Sequence, residues 1–196
     1  MPNTSETLTR ELITSLHHQP LLVVLRAEQP QQLRPTIARL QHLGVRHIEL
    51  AWSGHPDWAK QCRTLIADFP SLCFGAASLC HPRALESVVE AGLRFAVSPV
   101  LDPELVRRAQ ALDLVLVPGV MTPTEVHQAR SLGCGMVKLF PAAALGALYW
   151  QRLAGPLGPL PFCIAAGGLG PADLSEWLAA GVDAVAIGGS LGVDHT

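Results

Sequence analysis

Lysine is nearly absent from this chain. Lys60 and Lys138 are its only two, within 14 basic residues set against 16 acidic ones. The formal net charge of -2 offers no basic field for nucleic acid or an anionic membrane. Cysteine is limited to Cys62, Cys73, Cys80, Cys134 and Cys163, an odd set with no CxxC pair and no Cys/His spacing that suits zinc. Cys73, Cys134 and Cys163 stand in or beside apolar runs, where a free thiol behaves as a small hydrophobe. Reduced thiols are therefore expected, and with them a cytoplasmic location. The opening MPNTSETLTR has no apolar h-region, so no signal peptide is expected. No apolar run reaches membrane-spanning length. HxH, HExxH and GxGxxG are all missing, which removes the common zinc-hydrolase and dinucleotide signatures. His17, His18, His42 and His127 read as surface residues.

What is present is one repeating pattern across 196 residues, a length that fits one domain. A short apolar run is followed by a turn and then by an amphipathic stretch closed with glycine. The strand candidates are residues 21–26, 47–51, 72–77, 95–98, 114–118, 136–140, 162–166 and 184–187. They are near-continuous apolar runs, as in parallel strands buried on both faces. Helical patterns at 31–43, 82–91, 124–132 and 172–180 end at Gly44, Gly92, Gly133 and Gly181, the signal of a left-handed cap. Pro103, Pro123 and Pro171 mark helix starts. Residues 5–16 predict one more helix ahead of the first strand.

Eight strands with crossover helices allow a (β/α)8 barrel or an open doubly wound sheet. The count of eight and the missing GxGxxG favour the barrel. The expected architecture is an α/β protein with a single domain over 1–196. An extra N-terminal helix would occupy 1–19 and the barrel 20–191, with the eighth helix missing or truncated.

In such a barrel the chemistry lies at the C-terminal ends of the strands. Lys138 lies inside the apolar sixth strand, Met136-Val137-Lys138-Leu139-Phe140. Burial there lowers an amine's pKa and frees it to attack a carbonyl. The bland alternative is a structural ion pair or a lysine whose head reaches solvent. Lys60, in a helical stretch, reads as a surface residue. Glu49, in His47-Ile48-Glu49-Leu50-Ala51, is an acid flanked by apolar residues. Together the two supply a nucleophile and a general acid/base, or else a buried salt bridge without chemistry. Gly167-Gly168 and Gly188-Gly189-Ser190 close the seventh and eighth strands, where this fold often holds phosphate on backbone N–H groups. Tight turns are the alternative. Ser78 closes the third strand and suits a carboxylate, a carbonyl or a helix cap.

These residues carry a resemblance. Gly44-Val45-Arg46-His47-Ile48-Glu49, Phe74-Gly75-Ala76-Ala77-Ser78, Ser98-Pro99, Val117-Pro118-Gly119-Val120-Met121-Thr122-Pro123-Thr124-Glu125 and Val137-Lys138-Leu139-Phe140-Pro141-Ala142 are similar to motifs of one family. The chain resembles the 2-keto-3-deoxy-6-phosphogluconate aldolase family, which includes the 4-hydroxy-2-oxoglutarate aldolases, over about residues 20–191. The resemblance implies a homotrimer with no metal and no cofactor, acting on a small keto acid, possibly phosphorylated. It implies that Lys138 forms a Schiff base with the keto group of pyruvate while Glu49 moves protons. Ser78, at a family threonine, would bind the pyruvate carboxylate. Phe140 and Pro99 would line the pocket. Gly167, Gly168, Gly188, Gly189 and Ser190, with Arg26 at a basic position near that end, would hold the phosphate.

Three departures fall at the pyruvate end. Ser53 stands where the family has the arginine that grips the carboxylate, a contact worth roughly 1.5–3 kcal/mol. Ala77 and Ser78 replace Gly and Thr, and Ala166 replaces a threonine. The leading expectation is an aldolase that releases pyruvate. A keto-acid decarboxylase or altered-substrate aldolase using the same imine is one alternative. A non-catalytic barrel that binds a phosphometabolite and serves regulation or assembly is the other.

Overall fold

A computed structural model describes residues 4–188. Eight parallel strands form the barrel. They are β1 (Leu21–Leu25), β2 (His47–Ala51), β3 (Cys73–Ala77), β4 (Phe95–Val97), β5 (Val115–Val117 and Gly119–Val120), β6 (Met136–Leu139), β7 (Phe162–Ala166) and β8 (Ala184–Gly188). Each pairs in parallel with its chain neighbours, and β8 returns to β1, where Val23 faces Ile187.

The fifth strand is where the expected reading needed most revision. Pro118 supplies no N–H, so it interrupts the ladder. The segment before it pairs with β4 and the segment after it pairs with β6. The break lets one strand serve two parallel neighbours on its two sides, and the ring closes there. The Pro118 carbonyl still accepts the Lys138 N–H at 2.8 Å.

Alternation along the strands divides the core in two. Outward residues such as Val23, Ile48, Leu50, Val137 and Ile187 pack under the surrounding helices. Inward residues such as Leu22, Phe95, Val117, Met136, Ile164 and Ala186 fill the barrel. The N-terminal helix α1 (Thr4–His18) joins the inner set, with Leu12 and Leu16 buried against it. It closes the N-terminal end of the barrel. His47 fastens it there, with Nε2 2.7 Å from the Ser15 hydroxyl and Nδ1 3.2 Å from the Leu21 carbonyl.

The crossover helices follow their sequence signals. Pro82–Ala91 begins at His81 and Pro82, and it ends at Gly92, whose φ of 73° a side chain would strain. Gly44, Gly133 and Gly181 close their helices in the same left-handed way. Pro103–Ala111 starts with the Asp102 side chain accepting from the Glu104 and Leu105 amides. Pro123–Ser131 carries a full capping box between Thr122 and Glu125. Exposed ion pairs link successive elements: Arg34 with Asp68, Arg63 with Glu90, Arg108 with Glu86, and Arg94 with Glu11 of α1. At such exposure each adds little stability. The expected gap at the eighth helix, and the end of the barrel beyond Gly188, fall on residues outside those described. No helix among the described residues is long and apolar enough to cross a membrane.

Candidate active site

Glu49 and Lys138 both point into the barrel, each one of an alternating inward set. On β2, His47 and Glu49 face inward, His47 toward α1 and Glu49 two residues closer to the C-terminal mouth. On β6, Lys138 lies between Met136 and Phe140, both packed with the inner core. Glu49 is only 1% exposed and Lys138 only 8%. Lys60, the other lysine, is on the surface.

Burial sets the electrostatics. It pushes the Glu49 carboxyl up to about 7, against the opposing pull of the Lys138 and Arg26 charges. Burial also lowers the Lys138 ammonium. The Glu49 charge resists that shift, while the Arg26 charge adds to it. No ion pair or hydrogen bond joins Glu49 to Lys138 among the described residues, and Glu49 Oε1 has no hydrogen-bond partner. A salt bridge is therefore not the reason for this pair. Both lie inside an otherwise apolar barrel, and burial disfavours the charged form of each. Such an arrangement equips one group to attack as a free amine and the other to take and return protons near neutral pH.

The other expected residues gather round the same mouth. Phe140 lies beside the lysine, with Lys138 Nζ 4.5 Å from its ring centroid. Gly167 backs that ring, because a Cβ there would lie 2.8 Å from Phe140. Pro99 is held by a close approach of backbones. A Cβ on Gly119 would stand 2.3 Å from the Pro99 carbonyl, and Gly119 is the residue paired with Lys138. Gly167 and Gly168 both have positive φ, 95° and 80°, directly beyond β7. Gly188 ends β8 next to them, while Gly189 and Ser190 lie outside the described residues.

Arg26 Nη1 donates to the Ser78 hydroxyl at 2.7 Å. It thus spans from the end of β1, over β2, to the end of β3, and its charge acts on both Glu49 and Lys138. Ser78 is held in the left-handed region, at φ 65°, a strained conformation for a residue with a side chain. Ser53 is exposed and its hydroxyl donates to the Glu28 carbonyl at 2.7 Å, tying two loops together.

Sequence reasoning missed the spatial supports. Gly75 makes room for the Phe95 ring, which occupies the place of a Cβ at 2.3 Å. An isolated glycine within a strand was the available signal. The link between Arg26 and Ser78, 52 residues apart, had no sequence signal. Among the described residues no cluster of His, Cys, Asp and Glu forms a metal-ligand set.

The architecture is a parallel (β/α)8 barrel with a buried lysine and a buried carboxylate inside it, a candidate active site. Comparison with known proteins gives the family. The chain belongs to the KDPG and KHG aldolase family, whose model matches residues 12–196. It is an aldolase, a carbon–carbon lyase. A KHG/KDPG aldolase of Escherichia coli is 31% identical over 186 residues, covering 94% of this chain and 84% of the relative. A probable 2-dehydro-3-deoxy-6-phosphogalactonate aldolase of Rhizobium meliloti is 30% identical over 175 residues, covering 88% and 82%. Among solved structures, a KDPG aldolase from Legionella pneumophila with pyruvate captured as a covalent carbinolamine matches with a TM-score of 0.76. It is 28% identical, covering 86% of this chain and 82% of that one.

Proposed function

We propose that the protein cleaves a 2-keto-3-deoxy acid with a phosphorylated distal end, releasing pyruvate and an aldehyde through an imine on Lys138. The observation that carries this is the Lys138–Glu49 pair, both buried inside the barrel and not joined in a salt bridge. The neutral Lys138 amine attacks the keto carbon, and loss of water gives the imine. Glu49 takes the proton of the hydroxyl at the bond to be broken. As that bond breaks, the electron pair passes into the protonated imine as an enamine, so the lysine accepts the charge that a metal ion would hold in other lyases. Proton return to the enamine and hydrolysis free pyruvate. The carbinolamine captured on the Legionella relative is the first covalent state of this sequence.

Arg26 and Ser78 bind the pyruvate carboxylate in this reading. The guanidinium that the family places four residues after Glu49 is absent here, and Arg26, bonded to Ser78, compensates for it. Phe140 and Pro99 form the pocket wall, and the turns at Gly167-Gly168 and Gly188-Gly189-Ser190 receive the phosphate. Half-exposed Val100, Met121 and Leu148, on the rim loops after β4, β5 and β6, support a homotrimer built on that sector. The five unpaired cysteines suit the cytoplasm.

The test is trapping. With pyruvate and borohydride, intact-mass measurement is expected to show one pyruvate adduct, absent from Lys138→Ala. No adduct at saturating pyruvate would falsify the imine and favour a binding role.

A further inference from the structure

The barrel wall is open at one place near its N-terminal end. Among the described residues, Val115–Val117 pairs only with β4, and β6 meets β5 only through Gly119 and Val120. Below that point no ladder joins β5 to β6. A cavity of about 320 Å³ lies in this seam, under α1. Its walls come from both halves of the core. Ile13, Val115 and Met136 belong with the inner set, whereas Ala109, Leu114 and Leu116 pack with the outer one. The sheet otherwise keeps those two sets apart. The volume falls at the lower end of the range for small-molecule sites.

The polar edge of the cavity comes from α1. Glu6 and Arg10 both border it, four residues and one helical turn apart. At that spacing opposite charges often meet, yet neither side chain makes an ion pair or hydrogen bond among the described residues. On the far wall, Gln110 Nε2 donates to the Leu132 carbonyl at 2.8 Å, which ties the helix Pro103–Ala111 to the turn before β6. The cavity thus offers an apolar floor with one free cation and one free anion side by side. That set fits a small molecule with an apolar body and adjacent carboxylate and ammonium groups, which is a free apolar α-amino acid. In a peptide the two charges no longer share one α-carbon, and a fatty acid lacks the ammonium.

We infer that the seam binds a free apolar α-amino acid and that its occupancy favours imine formation at Lys138. The ligand carboxylate meets Arg10, its ammonium meets Glu6, and its side chain enters between Leu116 and Met136. Leu116 stands two residues before Pro118, whose carbonyl accepts the Lys138 N–H at 2.8 Å. Met136 stands two residues before Lys138 itself. A side chain seated there joins the two strands where they lack a ladder, and so steadies β6 below its lysine. The imine steadies the same strand from the other end. Each ligand then finds β6 already ordered by the other, so the two bindings reinforce one another. The coupling rests on the imine reading of Lys138, whereas the binding site does not.

The probe is L-leucine, titrated by calorimetry into the full-length protein, with one site per chain expected. Thr9 is half-buried on the same wall, and Thr9→Trp fills the cavity, so this variant is expected to lose the binding. Arg10→Gln and Glu6→Gln are each expected to weaken it roughly three- to tenfold while circular dichroism stays unchanged. 4-Methylpentanoate and isopentylamine, each with one of the two charges, should bind more weakly by a similar factor. Saturating pyruvate is expected to tighten leucine about fivefold, and leucine to lower by the same factor the pyruvate concentration needed for borohydride trapping. No leucine binding to the wild type, or equal binding by Thr9→Trp or by both charge variants, overturns the site. Leucine that binds without changing the pyruvate requirement overturns the coupling. If no pyruvate adduct forms with or without leucine, the imine reading has failed, and calorimetry alone still decides the site.

Discussion

At the scale of single residues, Glu49 separates catalysis from stability. Its carboxyl is fully buried, with one oxygen unpartnered, and its proton affinity is raised to about 7 in the folded state from 4.5. A carboxyl raised on folding contributes stability that is complete below the unfolded value and is lost as pH rises through the folded one. The loss should therefore develop between about pH 4.5 and pH 7 and amount to on the order of 3 kcal/mol. Glu49→Gln has no charge to desolvate. Urea unfolding is expected to show it more stable than the wild type at pH 8, with the gap closing toward pH 5, while turnover falls roughly 10²–10⁴-fold. The wild-type kcat/KM should rise with pH through about 7 as Glu49 becomes a base, and that limb should vanish in Glu49→Gln. Lys138 and Glu49 were legible in the sequence because a charge inside an apolar run contradicts its surroundings. Arg26 was legible only as a basic residue at a strand end. Which partner its long side chain meets depends on how three strand ends are spaced, and no local pattern encodes that.

At the scale of elements, two features hold the reacting strands in place. His47 satisfies both ring nitrogens against Ser15 and Leu21, which joins α1 to the barrel beneath Glu49. Gly119 brings β4 and β5 so close that a side chain has no room. Gly119→Ala would push against Pro99 backbone, which cannot turn aside as a flexible side chain does. It is expected to destabilise the fold by about 1–3 kcal/mol. Because Gly119 pairs with Lys138, it should also reduce pyruvate adduct formation under conditions where the variant remains folded by circular dichroism. Unchanged adduct formation would show that Lys138 does not depend on this contact. The helices were legible from proline starts and glycine ends, since both act through their own backbone. The fifth strand was not fully legible. Pro118 announced an interruption, but the exchange of partners across it follows from ring closure, a property of all eight strands together.

At the scale of the whole molecule, eight apolar runs sufficed to indicate the barrel, because parallel strands covered on both faces leave no polar alternation. Its assembly is a matter of surface. Val100, Met121 and Leu148 are 48%, 41% and 48% exposed. They sit on three successive rim loops, and the Tyr149 hydroxyl donates to the Met121 carbonyl. A chain that leaves such a sector open loses the burial of its apolar side chains, and a cyclic assembly of identical copies recovers it. The proposed homotrimer predicts a trimer in sedimentation of the wild type. Met121→Asp combined with Leu148→Asp places charges at the centre of that contact, where each would be desolvated without a partner. The double variant is expected to sediment as a monomer with its circular dichroism unchanged, because neither side chain belongs to the inner or outer core. A trimer that survives both substitutions would locate the interface elsewhere, and a monomeric wild type would remove the assembly from the proposed function while leaving the chemistry of Lys138 untouched.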